Sequence, residues 1–315
     1  MNRYLRFVAL LLACAPSFVL AEPEAKGGQQ AGFPEQAIRL SVVSPDRQRL
    51  ETPVAAYVNA DGREVLLIGA VHVAEKSYYA RLNQLFKQCD LLLFEMVGGE
   101  KTQRHEELKR RIDRGKPLGG LTPEEAREWD DMERLQHSDT GVLMKLLGGM
   151  YQSMSKALNL QSQKDGIDYS PAHFVHADMT LEEFNEAQAR RGESLGTLIL
   201  KSVVSSLNPE KKAPQINELK LIKDLLTGNN AGVKNELMRL LADPSSRDEM
   251  EDSVILEGRN VKCCEIFDQW RGKGYVKIGI FYGAAHLPGL HEEMVKRGYR
   301  LREVQWLPAW STAGD

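Results

Sequence analysis

The sequence predicts an α/β protein with a mostly parallel or mixed central sheet. The sheet is built from strand–helix–strand units near the two ends of the chain, with a large, mainly helical insertion between them. Three observations predict this. Residues 64–70 (EVLLIGA) and 90–95 (DLLLFE) are unbroken apolar runs of strand length, as found in strands covered on both faces. Between them Tyr78, Leu82, Leu85, Phe86 and Cys89 recur at helical spacing. Near the other end, residues 275–282 (YVKIGIFY), 289–296 and 299–306 (YRLREVQW) repeat the order strand, helix, strand, with Gly298 as punctuation. A strand–helix–strand segment of about 32 residues is long enough for a parallel pair.

The remaining elements follow in chain order. Arg3 and Arg6 precede the apolar run from Phe7 to Cys14, and Val19-Leu20-Ala21 offers a small-residue cleavage site. Residues 1–21 therefore read as a secretory signal peptide, and the run is too short for the roughly 20 residues of a bilayer span. Leu11-Leu12-Ala13-Cys14 also resembles a lipoprotein processing site, but cutting there would leave an apolar stretch of only about five residues. The expected destination is the periplasm or the exterior, with lipidation at Cys14 the lesser alternative. Residues 22–36 are polar with Gly and Pro, and read as a flexible lead-in. Residues 37–315 follow as one expected domain. Extended stretches are expected around 37–43 and 53–58, with Asn59-Ala60-Asp61-Gly62 as the turn into the 64–70 strand.

The insertion, about 101–250, is rich in charge and helix signals. Thr122-Pro123-Glu124-Glu125 and Thr180-Leu181-Glu182-Glu183 both place a Thr cap three residues before a Glu. Leu143, Met144, Leu147, Met150, Met154 and Leu158 share one helical face, readable as core or as an adaptable apolar surface. Residues 172–178 (AHFVHAD) read as one more strand, and 219–226 and 235–241 as further helices. The charge runs at 101–114 and 243–252 read as solvated helix faces.

Composition narrows the function classes. The 315-residue chain has 41 Lys and Arg, 44 Asp and Glu and a formal charge of −3. Removing Arg3 and Arg6 with the signal leaves 39 basic and 44 acidic residues, a charge of −5 over 294 residues. Nothing in that balance favours nucleic-acid phosphates. No later segment is long and apolar enough for a membrane span. Cys89, Cys263 and Cys264 would remain in the mature chain. Adjacent cysteines are badly placed to bridge each other, which leaves a Cys89 bridge to one of the pair or three buried thiols.

The chemistry-bearing pattern is a pair of Gly-Ala-x-His motifs, Gly69-Ala70-Val71-His72 and Gly283-Ala284-Ala285-His286, each at the carboxyl end of a predicted strand. Ligands of open parallel sheets collect at that edge, and the Gly of each motif would let the backbone turn sharply and approach a ligand closely. Glu95 ends the intervening strand at the same edge. Two imidazoles and a carboxylate suit a divalent metal that keeps open positions, which would lower the pKa of a bound water. A His at a strand end is also a common structural residue, and a Glu there can cap a helix or pair with an Arg.

Those two motifs, Glu95 after Leu91-Leu92-Leu93-Phe94, and Glu257-Gly258-Arg259-Asn260 together resemble the TraB/GumN family. Its superfamily includes the Tiki proteases and pheromone-shutdown proteins, and is related to the erythromycin-esterase and haem-binding ChaN-like folds. The resemblance covers about 64–97 and 253–308. It implies a metal-dependent hydrolytic site, peptidase-like, with manganese or cobalt, and zinc as a further possibility. His72 and His286 become candidate metal ligands, and Glu95 a ligand or the general base. Arg259 becomes a residue that holds a carboxylate or an oxyanion, supported by Asn260. Where the family's middle strand often ends in a Glu-containing segment, this chain has Val175-His176-Ala177-Asp178-Met179. Asp178 is thus a substitute carboxylate or a loop residue before the Thr180 cap, and His176 would share its strand face.

Other motifs carry less. Gly192-Glu193-Ser194-Leu195-Gly196 matches a nucleophile elbow but follows a helix instead of a strand. His105-Glu106 and His291-Glu292 lack the second His of a zinc-protease helix. His105, His137 and His173 read as solvated or structural, and His291 is badly offset from His286. The leading expectation is an exported metal-dependent hydrolase of a peptide or small-molecule substrate. The alternative is a non-catalytic binder of a peptide or haem-like ligand in the same crevice.

Overall fold

The computed structural model describes residues 32–34, 36–44, 47–98, 104, 107–109, 111–113, 120–136, 139–192, 220, 223–224, 227–242 and 254–312. The expected signal peptide with Cys14, most of the expected lead-in, His105, His137, Ser194 and residues 243–252 lie outside them, as does most of the helix expected at 219–226.

Seven strands form one mixed sheet among the described residues. The long β2 (Arg47–Val58) is its antiparallel organiser. On one side it pairs with β9 (Arg300–Ser311), from Arg49↔Ser311 to Val58↔Arg300. On the other it pairs first with β1 (Arg39–Ser44) and then with β3 (Glu64–Ala70). From β3 onward the sheet is parallel, through β8 (Lys277–Gly283), β5 (Leu91–Phe94) and β7 (Phe174–His176). The three central strands are buried nearly throughout, as their unbroken apolar runs require.

The topology corrects one local expectation. β3, helix α1 (Lys76–Phe86) and β5 do form a strand–helix–strand unit, but its two strands are not paired with each other. β8, almost 200 residues later, lies between them, with Leu66 and Leu92 both opposite Gly279. Gly279 makes the wedge possible: a Cβ there would lie 2.5 Å from Leu92 Cδ1 and 2.9 Å from Cys89 Sγ. The C-terminal unit diverges similarly. β9 crosses to the far edge to pair with β2, where Trp310 is buried and its indole N–H donates to the Val73 carbonyl at 2.6 Å.

The insertion contributes β6 (Gln161–Ser162), β7 and helices α2 (Pro123–Gln136), α3 (Asp139–Leu158), α4 (Gln163–Gly166), α5 (Leu181–Arg191) and α6 (Asn230–Leu241). Both Thr caps form as their sequences dictate. Thr122 and Glu125 exchange bonds of 3.1 and 2.9 Å, and Thr180 and Glu183 bonds of 3.1 and 2.8 Å. On α3, Leu158 is buried and Met154 packs on the core. β6 pairs with β4 (Val73–Ala74), directly after His72, which ties the insertion to the sheet edge. Helices α7 (Arg259–Arg271) and α8 (Leu287–Lys296) flank β8 in sequence. Cys89, Cys263 and Cys264 are buried free thiols. Among the described residues no helix is long and apolar enough to cross a membrane.

Candidate functional site

The parallel strands β3, β8, β5 and β7 end at one edge, and His72, His286, Glu95 and Asp178 follow them in turn. Glu95 continues the ladder beyond β5, its N–H donating to the Phe281 carbonyl at 3.0 Å. Its carboxylate then accepts the Gly283 N–H. A Cβ on Gly283 would lie only 3.2 Å from Glu95 Oε2, so the second motif's glycine serves close approach of this carboxylate. Gly69 is packed against Pro53 and Leu287 in the same way. Neither glycine takes a positive φ, so the sharp turn expected of them is not their role.

Arg259 is the hub. A π-helical turn (Val254–Gly258) leads into α7 and aims its first residue at the sheet edge. The guanidinium grips Asp178 with two bonds, Nε to Oδ1 at 2.9 Å and Nη2 to Oδ2 at 2.6 Å, and Nη2 also meets Glu95 Oε1. Asp178, 1% exposed, further accepts the Met179 N–H at 2.8 Å. A buried carboxylate needs such a set of donors, and a planar fork supplies two of them in fixed geometry. Burial alone would raise the Glu95 carboxyl. Arg259, the two imidazoles of His286 and His72, and the Gly283 N–H outweigh it and hold the group well below the usual carboxylate range. Burial opposes the charge on Arg259 as well, but Asp178 and Glu95 hold it firmly protonated.

His286 lies in the short turn Ala284–His286 and is 3% exposed. Its Nδ1 lies 2.8 Å from Asn260 Oδ1, and the Asn260 amide N–H donates to the His286 carbonyl at 3.3 Å. With the amide so oriented, Nδ1 carries the proton and Nε2 keeps its lone pair. Nε2 faces Arg259 Nη1 at 3.4 Å and Glu95 Oε1 at 3.8 Å. Burial is the main reason that the imidazole pKa falls to about 4, so the ring is neutral near pH 7.

The two Gly-Ala-x-His motifs are not structural equivalents. After His286, Pro288 starts α8. After His72, the chain extends into β4, and His72 is exposed, its ring 4.9 Å from that of Tyr151. Loss of hydration around the ring is the main cause that lowers the His72 imidazole pKa, with Glu95 opposing and Arg259 assisting. His176 takes no part in the cluster: its Nε2 bonds the Met96 carbonyl at 2.6 Å. His291 bonds the Tyr57 hydroxyl at 2.9 Å and stacks on Phe33, and His173 approaches the Phe86 carbonyl at 3.3 Å.

Glu95, Asp178, Arg259, Asn260 and His286 thus form one hydrogen-bonded cluster, with His72 on its open side. Sequence reasoning misses Tyr282, whose hydroxyl donates to the Ala177 carbonyl and steadies the loop before Asp178. It also misses three residues of the insertion: Tyr151, whose ring lies beside that of His72, Gln163, whose N–H donates to the His72 carbonyl, and Tyr169, whose hydroxyl accepts from Gln163. None of these carries a local sequence signal.

Two donor groups of the cluster are of kinds that bind divalent metals. His286 Nε2 and Glu95 Oε1 are spaced as two ligands with bonds of roughly 2.0–2.2 Å can be, and the opposite imidazole nitrogen is held as in metal-ligating histidines. Among the described residues, no three His, Cys, Asp or Glu side chains stand together as a ligand group; the Arg259 guanidinium occupies the Glu95 carboxylate.

A family model described as the TraB/PrgY/gumN family matches residues 56–303, most of the chain and the whole of this site. No curated protein and no solved structure matches.

Proposed function

The chain belongs to the TraB/PrgY/gumN family, and on that premise we propose that its Glu95–Arg259–His286 cluster is a metal-dependent hydrolytic site. It would act on a peptide or another amide or ester bond, after export by the leader at residues 1–21. The observation that carries this reading is His286. It is buried and neutral, its Nδ1 is fixed by Asn260, and its lone pair faces an anionic carboxylate.

His286, His72 and Glu95 would hold the ion, whether manganese, cobalt or zinc. A bound ion supplies Lewis acidity and a water of lowered pKa. Glu95 is held anionic far below neutrality and so serves as a ligand, not as a proton store. Arg259 fixes Glu95 and Asp178 in place and offsets their charge. Asn260 keeps the His286 lone pair pointing inward.

Protein purified without chelators or a histidine tag should retain manganese, cobalt or zinc, and His286→Ala and His72→Ala should each lose it. A library of peptides and simple esters, assayed with and without added manganese, then reads the reaction. Undiminished metal content in the double variant would overturn the assignment. Bound pigment absorbing near the haem Soret band, without cleavage, would favour a binder of a haem-like ligand.

A further inference from the structure

We propose that Gln163, at the start of α4 in the insertion, is the positioning residue of His72: its side-chain carbonyl oxygen accepts the His72 ring N–H and leaves the other ring nitrogen free toward Glu95. The proposal rests on the reading of His72 as a working residue of the site, and it assigns the insertion a task there.

Gln163 is held at His72 by backbone. Its N–H donates to the His72 carbonyl at 2.7 Å. Next to it, Ser162 pairs with Val73 and Gln161 with Ala74. Ser162 also caps α4, its hydroxyl accepting the Asp165 N–H at 3.3 Å. The side chain is then oriented from its far end: Nε2 donates to the Tyr169 hydroxyl at 3.0 Å, and the Tyr169 ring packs 5.2 Å from Phe94, the last residue of β5. With the amide nitrogen so engaged, Oε1 is directed away from Tyr169. It is buried and has no hydrogen-bond partner of good geometry, and the backbone bond to the His72 carbonyl holds the residue beside the His72 ring.

A buried amide oxygen without a donor is an exception that demands an explanation. The nearby His72 N–H is the donor that supplies one, after a small turn of an exposed ring. The arrangement then repeats that of His286, where the Asn260 carbonyl oxygen sits at 2.8 Å from Nδ1. Each imidazole would be held by one carboxamide, Asn260 from α7 and Gln163 from the insertion. Fixing the tautomer of a ligating or proton-accepting imidazole through its second nitrogen is what such outer partners do.

The test is two-bond 1H–15N correlation on the full mature chain labelled with 15N-histidine, metal-free at pH 7.5, with His72 assigned from the His72→Ala spectrum. The wild type should show His72 as one neutral tautomer. Gln163→Met, close in size but without the acceptor, should show a mixture of tautomers, and Gln163→Glu, which keeps the acceptor, should restore one. Manganese affinity of Gln163→Met should fall roughly 10–100-fold. A single unchanged tautomer in Gln163→Met would overturn the proposal, and so would a mixture already present in the wild type. Because the tautomer is read without metal or substrate, it is independent of the hydrolase reading, which fails on metal content alone.

Discussion

Replacing Arg259 by methionine keeps most of the side chain's length and removes the cation that Glu95 and Asp178 share. In the wild type the pH dependence has one sign. His286 has a pKa of about 4 when folded and 6.5 when free, so between those values the unfolded chain binds the extra proton. Its contribution to stability is present in full above pH 6.5 and is lost as the pH falls toward 4. A shift of that size, in a side chain 4% exposed, corresponds to about 3 kcal/mol. Glu95, whose folded pKa is depressed, acts in the same direction: its contribution is present above 4.5 and lost below. Arg259→Met should cost about 3–5 kcal/mol at pH 7.5, because it leaves buried charge uncompensated. The deficit should also shrink as the pH falls. Without the guanidinium, burial is no longer outweighed at Glu95, which then binds a proton more readily folded than unfolded, so the variant should lose less stability than the wild type from pH 7.5 toward 5.5. Urea-unfolding midpoints at pH 7.5, 6.5 and 5.5, followed by circular dichroism, measure both curves. Arg259→Met combined with Asp178→Asn should recover part of the loss. A variant as stable as the wild type at pH 7.5, or a deficit that stays constant down to pH 5.5, would refute the hub role of Arg259.

Gly289→Ala should disturb the site through Asn260: the new Cβ would stand 2.6 Å from Asn260 Nδ2. Displacing that amide frees His286 Nδ1, so bound metal should fall sharply while the melting transition shows a loss of only about 1–2 kcal/mol, and intact metal retention would count against Asn260 as the group that orients His286. Gly279→Ala should weaken the sheet itself by about 1–3 kcal/mol, since its Cβ meets Leu92 and Cys89 between two paired strands. The exposed helical Gly148, with open space around its Cβ position, is the control: Gly148→Ala should stabilise by up to about 1 kcal/mol, and equal effects at both sites in chemical denaturation would contradict the packing argument.

Much of the site is legible in the chain because its parts sit at strand ends. Apolar runs such as 64–70 and 275–282 announce strands buried on both faces, and the residue that follows such a strand falls at the ligand-binding edge whatever the strand order. That reasoning reaches His72, Glu95 and His286 without knowing which strands are neighbours, whereas Asp178 comes in through the family pattern, as a substitute carboxylate or a loop residue. Arg259 and Asn260 have no comparable local signal. They are legible only through the family pattern, and their placement follows from a helix N-terminus that only packing can aim. Gln163 carries no signal at all, because a glutamine after Gln161-Ser162 has nothing in its own surroundings that points to His72.

What the amino-acid sequence determines alone is therefore local: the period of each element, the Thr122 and Thr180 caps, and the order of the strand-end residues His72, Glu95 and His286. These depend on neighbours within a few positions, where backbone geometry dictates what can meet. Tertiary structure decided that β8 separates β3 from β5 and that β9 closes on β2. It also made two matching Gly-Ala-x-His motifs into one buried neutral imidazole and one exposed ring. Those outcomes turn on contacts between residues some 200 positions apart, such as the Leu92 side chain against the bare face of Gly279, and on desolvation that no single segment can supply.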